Sequence, residues 1–308
     1  MKVFKPEGSI INTAENIIRL KSPSALAEAM REKRILEARA AVCDSSHNLI
    51  VDLGCMRGVI PRDEGAVGIK EGAVRDIAVI SRVGKPVCFY IERFQTDSKG
   101  NTVAFLSRRA VQQDCINDYI SNLEFGDVID ATVTHMESFG AFADIGCGVP
   151  SLIPIDSISV SRISHPRDRF CVGMNIKAVV KSINDDGRIT LSHKELLGTW
   201  EENAENFCIG ETVAGIVRSV EDYGIFVELT PNLAGLAEVR EGVFPGQRAS
   251  VYIKSIVPEK MKIKLVIIDS FFAENNPGQP EYFFKGKHMD RFLYSPAADN
   301  RVIETVFK

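Results

Sequence analysis

Residues 126–154, GDVIDATVTHMESFGAFADIGCGVPSLIP, decide how this chain is read. A glycine opens a run of alternating apolar residues, an acidic residue follows, and then Phe139-Gly140-Ala141-Phe142 leads into a second alternating run. Alternation at period two marks half-buried strands. The two rings are three residues apart, so strict alternation sends one to the core and the other to solvent. A glycine within a strand often marks a bulge, and one extra residue resets the alternation. A bulge at Gly140 therefore predicts both rings on one face.

The stretch recurs. Residues 210–238, GETVAGIVRSVEDYGIFVELTPNLAGLAE, repeat it without a gap at an offset of 84, pairing Gly126 with Gly210, Phe139 with Tyr223 and Phe142 with Phe226. Each copy continues into a second pair of strands, NIKAVVKSINDDGRITLS (175–192) and QRASVYIKSIVPEKMKIKLV (247–266). Asp186-Gly187 in the first of these is a hairpin signal. Five short strands without a long helix among them fit a small closed barrel better than an open sheet.

A weaker third copy lies upstream. RAAVCDSSHNLIVDLGCMRGVIP (39–61) matches the first three strands and KPVCFYIERFQTDSKGNTVAFLS (85–107) the last two. Aligning Asp52-Leu53-Gly54 with Asp144-Ile145-Gly146 puts His47 at the position of Phe139 and Ile50 at that of Phe142, so this copy lacks the ring pair.

Helical stretches join the copies. SPSALAEAMREKRI (22–35) offers Ser22 as N-cap with Pro23 at the first helical position. RRAVQQDCINDYISNL (108–123) sets Val111, Cys115, Tyr119 and Leu123 on one stripe, and HKELLGTWEENAENF (193–207) carries the only tryptophan, Trp200. The resulting division is a helical segment at 1–35, a degenerate barrel at 36–110, a linker helix at 111–125, a barrel at 126–194, a linker helix at 195–209, a barrel at 210–269 and an extension at 270–308. The extension is rich in aromatics and fits no repeat; covering a barrel or pairing with another chain are its two readings.

The 308 residues include seven cysteines without a CxxC pair, which argues against both a disulfide framework and a zinc site and predicts reduced thiols packed as small hydrophobes. No run of about 18 apolar residues spans a bilayer, and MKVFKPEGSIIN lacks the apolar region of a signal peptide, so a cytoplasmic protein is expected. The formal net charge is −4, and residues 126–194 hold 8 acidic against 7 basic side chains. Any anionic partner must therefore be met by a local surface.

Paired rings on an exposed barrel face suit unpaired bases, because every base has a π-face. The alternative is that both rings are core. The recurrence of the pair, and the cations on strands that could flank it, favour the surface reading. Those cations are Lys181, Arg188 and Lys194 in the second copy and Lys254, Lys262 and Lys264 in the third; a merely solvated face is the alternative for them.

Residues 126–194 and 210–267 resemble the RNA-binding module repeated in ribosomal protein S-one, a five-stranded OB-fold barrel, and 36–110 resemble a degenerate copy. The resemblance rests on GDVIDATV, ESFGAFADIG, LIP and VGMNIKAVVKSINDDGRITLSHK. It implies a mainly β fold of tandem OB-fold barrels, and a ring pair at Phe139 and Phe142 and at Tyr223 and Phe226 that contacts RNA. It also implies a basic contact at Arg188, with Lys262 in the third copy. The histidine that the family carries nearby is replaced by Pro154 and Glu238. Its aspartate is replaced by Asn184 in the second copy and by Val257 or Pro258 in the third. The first copy has Val103 at the arginine position and is expected not to bind RNA; the resemblance implies that such copies dock on the ribosome, the alternative being a barrel that only supports its neighbours.

The function implied is non-catalytic binding of single-stranded RNA or mRNA in translation at the small ribosomal subunit. No cofactor and no membrane partner are implied. Phosphate-loop, nucleophile-elbow and HExxH motifs are absent, and the five histidines are widely spaced, so no catalytic or metal-binding set is expected. His135 and His165 read as surface or satisfied core residues. The competing function is a protein-interaction scaffold or an accessory subunit of an RNA-processing complex.

Overall fold

The computed structural model describes residues 2–97, 100–184, 187–273, 277–296 and 301–308. Two short helices, α1 (Ala14–Leu20) and α2 (Pro23–Arg31), precede the first barrel. Ser22 caps α2 as the sequence predicts, its Oγ accepting from the Ala25 amide at 3.2 Å. Strands β1 (Leu36–Cys43), β2 (Leu49–Asp52), β3 (Arg57–Ile60), β4 (Pro86–Thr96) and β5 (Thr102–Ser107) close in the order β1-β2-β3-β5-β4, and the short helix α3 (Ile77–Ile80) lies in the β3–β4 connection. Helix α4 (Arg108–Asp118) follows, buried along Val111 and Cys115.

The second barrel is built from β6 (Val128–Glu137), β7 (Gly140–Asp144), β8 (Pro150–Pro154), β9 (Asn175–Ile183) and β10 (Ile189–Ser192), closed as β10-β8-β7-β6-β9. The third contains β11 (Thr212–Glu221), β12 (Gly224–Thr230), β13 (Leu233–Ala237), β14 (Arg248–Val257) and β15 (Lys262–Phe271), closed as β11-β12-β13-β15-β14. The protein is thus mainly β, three five-stranded barrels with few helices. Asp186 of the expected β9–β10 turn lies outside the described residues. No helix among the described residues is long and apolar enough to cross a membrane.

Two compact units result: one runs to Leu123 and includes Asp144–Pro150, the other comprises Glu124–Ala143 and Ser151–Lys308. In the first, the aliphatic interior of barrel 1 gathers Leu36, Ala38, Leu49, Val51, Val87, Phe89 and Leu106. The amino-terminal arm is tied down by buried carboxylates. Glu7 is paired with Arg108 at 2.6 Å, and Glu37 accepts the Gly8 and Ile10 amides at 3.0 and 3.1 Å.

In the second unit the expected helix over 193–207 is divided. Gly198, at φ +86°, separates a 3-10 turn (Lys194–Leu197) from α5 (Trp200–Ala204), which Thr199 and Glu202 close with a capping box. The division leaves room for Phe283, whose ring lies 2.8 Å from where a Cβ at Gly198 would stand. The extension packs within the unit rather than standing apart. Its two strands β16 (Arg291–Leu293) and β17 (Glu304–Val306) pair, and Met289, Phe292, Tyr294 and Phe307 join Trp200 and the interior of barrel 3 in one apolar cluster. Val128 donates to the Lys287 carbonyl at 2.8 Å and the Tyr294 hydroxyl to the Asn232 carbonyl at 2.6 Å, so the extension is bonded to barrels 2 and 3 alike. A buried ion cluster does the same: Glu228 of β12 accepts from Arg218 of β11 at 2.7 Å and from Arg169 of barrel 2, while Arg218 reaches Asp168 at 3.3 Å.

Candidate nucleic-acid interface

The rings do come together, by a different device from the one the sequence suggests. Glu221 is opposite Gly224 in the β11–β12 ladder, so Asp222 and Tyr223 form a two-residue hairpin turn. Tyr223 and its counterpart Phe139 thus sit in turns, outside the alternation of either strand. Phe142 and Phe226 lie within β7 and β12, pointing outward between buried Ala141 and Ala143 and between Ile225 and Val227. Ring centroids are 6.1 Å apart for Phe139 and Phe142 and 6.2 Å for Tyr223 and Phe226, edge to face in both. The turn rings are 55% and 71% exposed; neither is core.

The expected bulge at the glycine is therefore corrected. Gly140 and Gly224 are needed because the neighbouring strand passes too close: a Cβ there would lie 2.5 Å from the Ile153 carbonyl oxygen and 2.7 Å from that of Ala237. A bulge exists, but on the strand before. The β11–β12 register shifts between Val217 and Ser219, and in β6 Val133 and Met136 are both buried although three apart. Barrel 1 shifts at the matching place, between Ala40 and Val42.

Pairing carries the barrel 3 site across its sheet. Phe226 is opposite Leu236, Leu236 opposite Lys264, and Lys264 opposite Ser255, so ring, isobutyl group and ammonium share one transverse row on the outer face. Lys262 stands two residues before Lys264, on the same face and exposed. Lys254 is exposed on β14, 3.9 Å from Glu238. In barrel 2, Leu152 is opposite Thr190, and exposed Arg188, two residues earlier, belongs to that outward set. Lys181 and Lys194 are half-buried and committed elsewhere: both fasten the turn after β8, Lys181 through the Ser157 hydroxyl at 2.9 Å and Lys194 through the Asp156 carbonyl at 3.2 Å. Lys262 and Lys264, by contrast, stand exposed on β15.

One residue that sequence reasoning set aside belongs in this group. His135 of β6 is exposed beside Phe142, ring centroids 6.3 Å apart and planes 25° from parallel, with Nε2 donating to Glu137 at 2.6 Å. His193, by contrast, is buried under the extension, bonded to the Ile158 carbonyl and the Tyr282 hydroxyl, and desolvation pushes its pKa down to about 4. It is a neutral packing element. Among the described residues no cluster of three or more His, Cys, Asp or Glu could hold a metal ion.

Comparison with known proteins follows the same lines. The S1 RNA binding domain family matches residues 122–194. The small ribosomal subunit protein bS1 of Staphylococcus aureus (strain COL) is 30% identical over 304 residues, covering 92% of this chain and 75% of its own. That of Staphylococcus epidermidis is 31% identical over 286 residues, covering 87% and 70%. A solved multidomain protein with nucleic acid binding domains from Streptococcus pneumoniae covers 79% of this chain and 75% of its own at a TM-score of 0.26 and 14% identity, too loose a likeness to argue from.

Proposed function

The chain belongs to the family of the small ribosomal subunit protein bS1, and from that membership we propose that it is a non-catalytic, cytoplasmic protein that binds single-stranded RNA, mRNA above all, in translation at the small ribosomal subunit. The observation that carries the reading is a ring pair on the outer surface of two barrels, its turn ring exposed, with a lysine across the sheet from it in barrel 3. Bases stack on Phe139, Phe142, Tyr223 and Phe226, while Arg188, Lys262 and Lys264 meet the backbone; Lys181, Lys194 and Lys254 take a lesser part. Stacking of this kind tolerates sequence, each base contributing ~1–3 kcal/mol.

One barrel binds weakly. Barrels 2 and 3 sit in one unit, so a strand that reaches both gains an effective concentration on the order of millimolar. Barrel 1 has a different role, contact with protein of the small subunit, supported by the aliphatic character of its equivalent outer row. The test is a salt titration of oligonucleotide binding. Phosphate contact makes log K fall against log salt by about 0.7 for each phosphate neutralised on a single strand, and no binding at low salt would end the proposal in favour of a protein scaffold.

A further inference from the structure

The outer rows of barrels 2 and 3 differ at one end. Ser219 is opposite Phe226 in barrel 3, and the residue 84 positions earlier, next to Phe142, is His135. The bulge that leaves Val133 and Met136 both buried keeps Thr134 and His135 between them out of the core, so the ring at 135 stands on the outer surface beside the ring of β7. Its side chain is 62% exposed, although no structural task requires an imidazole there. Its hydrogen bond to Glu137 restrains the ring, which lowers the entropy lost on stacking.

Resting on the RNA-binding reading, we propose that His135 is a third stacking position of barrel 2, taking the base next to the one on Phe142. Imidazole is among the side chains on which unpaired RNA bases stack. The ring, rather than its charge, is what the site offers, because the carboxylate 2.6 Å from Nε2 repels a phosphate approaching that edge. Barrel 2 thereby holds one nucleotide more than barrel 3.

The experiment measures affinity of the full chain for oligouridylates of graded length by fluorescence anisotropy. His135→Ala weakens binding about 5- to 150-fold, the loss of one stacked base, and affinity stops rising one nucleotide earlier. His135→Phe keeps wild-type affinity, His135→Lys does not restore it, and Ser219→Ala changes nothing. If His135→Ala binds as wild type while Phe142→Ala is weakened, the third position is overturned and the ring-pair reading stands. If Phe142→Ala is also unchanged, the ring-pair reading falls with it. Rescue by lysine but not by phenylalanine overturns stacking in favour of a charge contact.

Discussion

Barrel 3 and barrel 1 share one strand order and, at the same place, one transverse row of outward residues. In barrel 3 the row reads Ser219, Phe226, Leu236, Lys264, Ser255. In barrel 1 it reads Val42, Ile50, Val59, Phe105, Arg93. The first sets an accessible ring and an exposed ammonium on either side of a leucine. The second is aliphatic over three strands, and its one ring is covered by its own cation, the Arg93 guanidinium lying 4.4 Å from the Phe105 centroid. Both barrels close equally well, because closure depends on the inward set, which is aliphatic in each. The outward set is free to change partner class.

Four outcomes would break or sharpen that contrast. The largest is expected from removing one ring in each barrel that carries the ring pair. Phe142→Ala with Phe226→Ala should weaken RNA binding by roughly 25-fold to more than 10⁴-fold if each ring holds one base, measured by filter binding with circular dichroism to confirm folding. Wild-type affinity in a folded double variant would erase the distinction between the barrels.

Next comes the pairing of barrels 2 and 3. Glu228→Ala leaves Arg169 and Arg218 buried without their carboxylate and should destabilise the carboxyl-terminal unit by ~3–5 kcal/mol in urea melts. A loss under ~1 kcal/mol would show that the cluster is solvated rather than buried.

A smaller effect separates barrel 1. Burial pushes Glu37 up to about 7, and burial with the neighbouring Glu7 raises Asp144 to about 7. A carboxyl whose folded pKa is raised binds more protons in the native state, so stability of the amino-terminal unit should fall as pH rises from about 4.5 to about 7 and level off above. Glu37→Gln should flatten that fall by roughly 1–3 kcal/mol, seen in denaturation midpoints at pH 5 and pH 8. An unchanged slope would assign the whole effect to Asp144.

The smallest is a null result. Ile50→Ala, in the barrel 1 row, should leave RNA affinity within about twofold of wild type, since no ring pair stands there for a base to stack on. A loss matching that of Phe142→Ala would mean that all three barrels meet RNA.

Much of this was legible in the sequence. The alternation of β6 and β11, the ungapped offset between the copies and the Ser22-Pro23 start of α2 are local signals, and the structure follows them. The two-residue turn is not legible there, because Phe139 and Tyr223 are not typical turn residues and Gly140 itself suggests a bulge. The bulge lay a strand earlier, where no glycine marks it. Lys181 and Lys194 looked free because Ser157 and Asp156 lie more than twenty residues away in the chain. A lone histidine in an alternating run, such as His135, carries no signal until its cross-strand neighbour is known.

By itself, then, the sequence determined that there are three copies of one β unit and which two retain paired rings, since both facts reside in residue order and period. Tertiary structure alone decided which outward side chains stand beside one another, which lysines are already held, and that the aromatic extension fills the apolar cluster around Trp200 and barrel 3. Those depend on pairing between strands far apart in the chain, and a shift of one residue in that pairing moves a side chain to the opposite face.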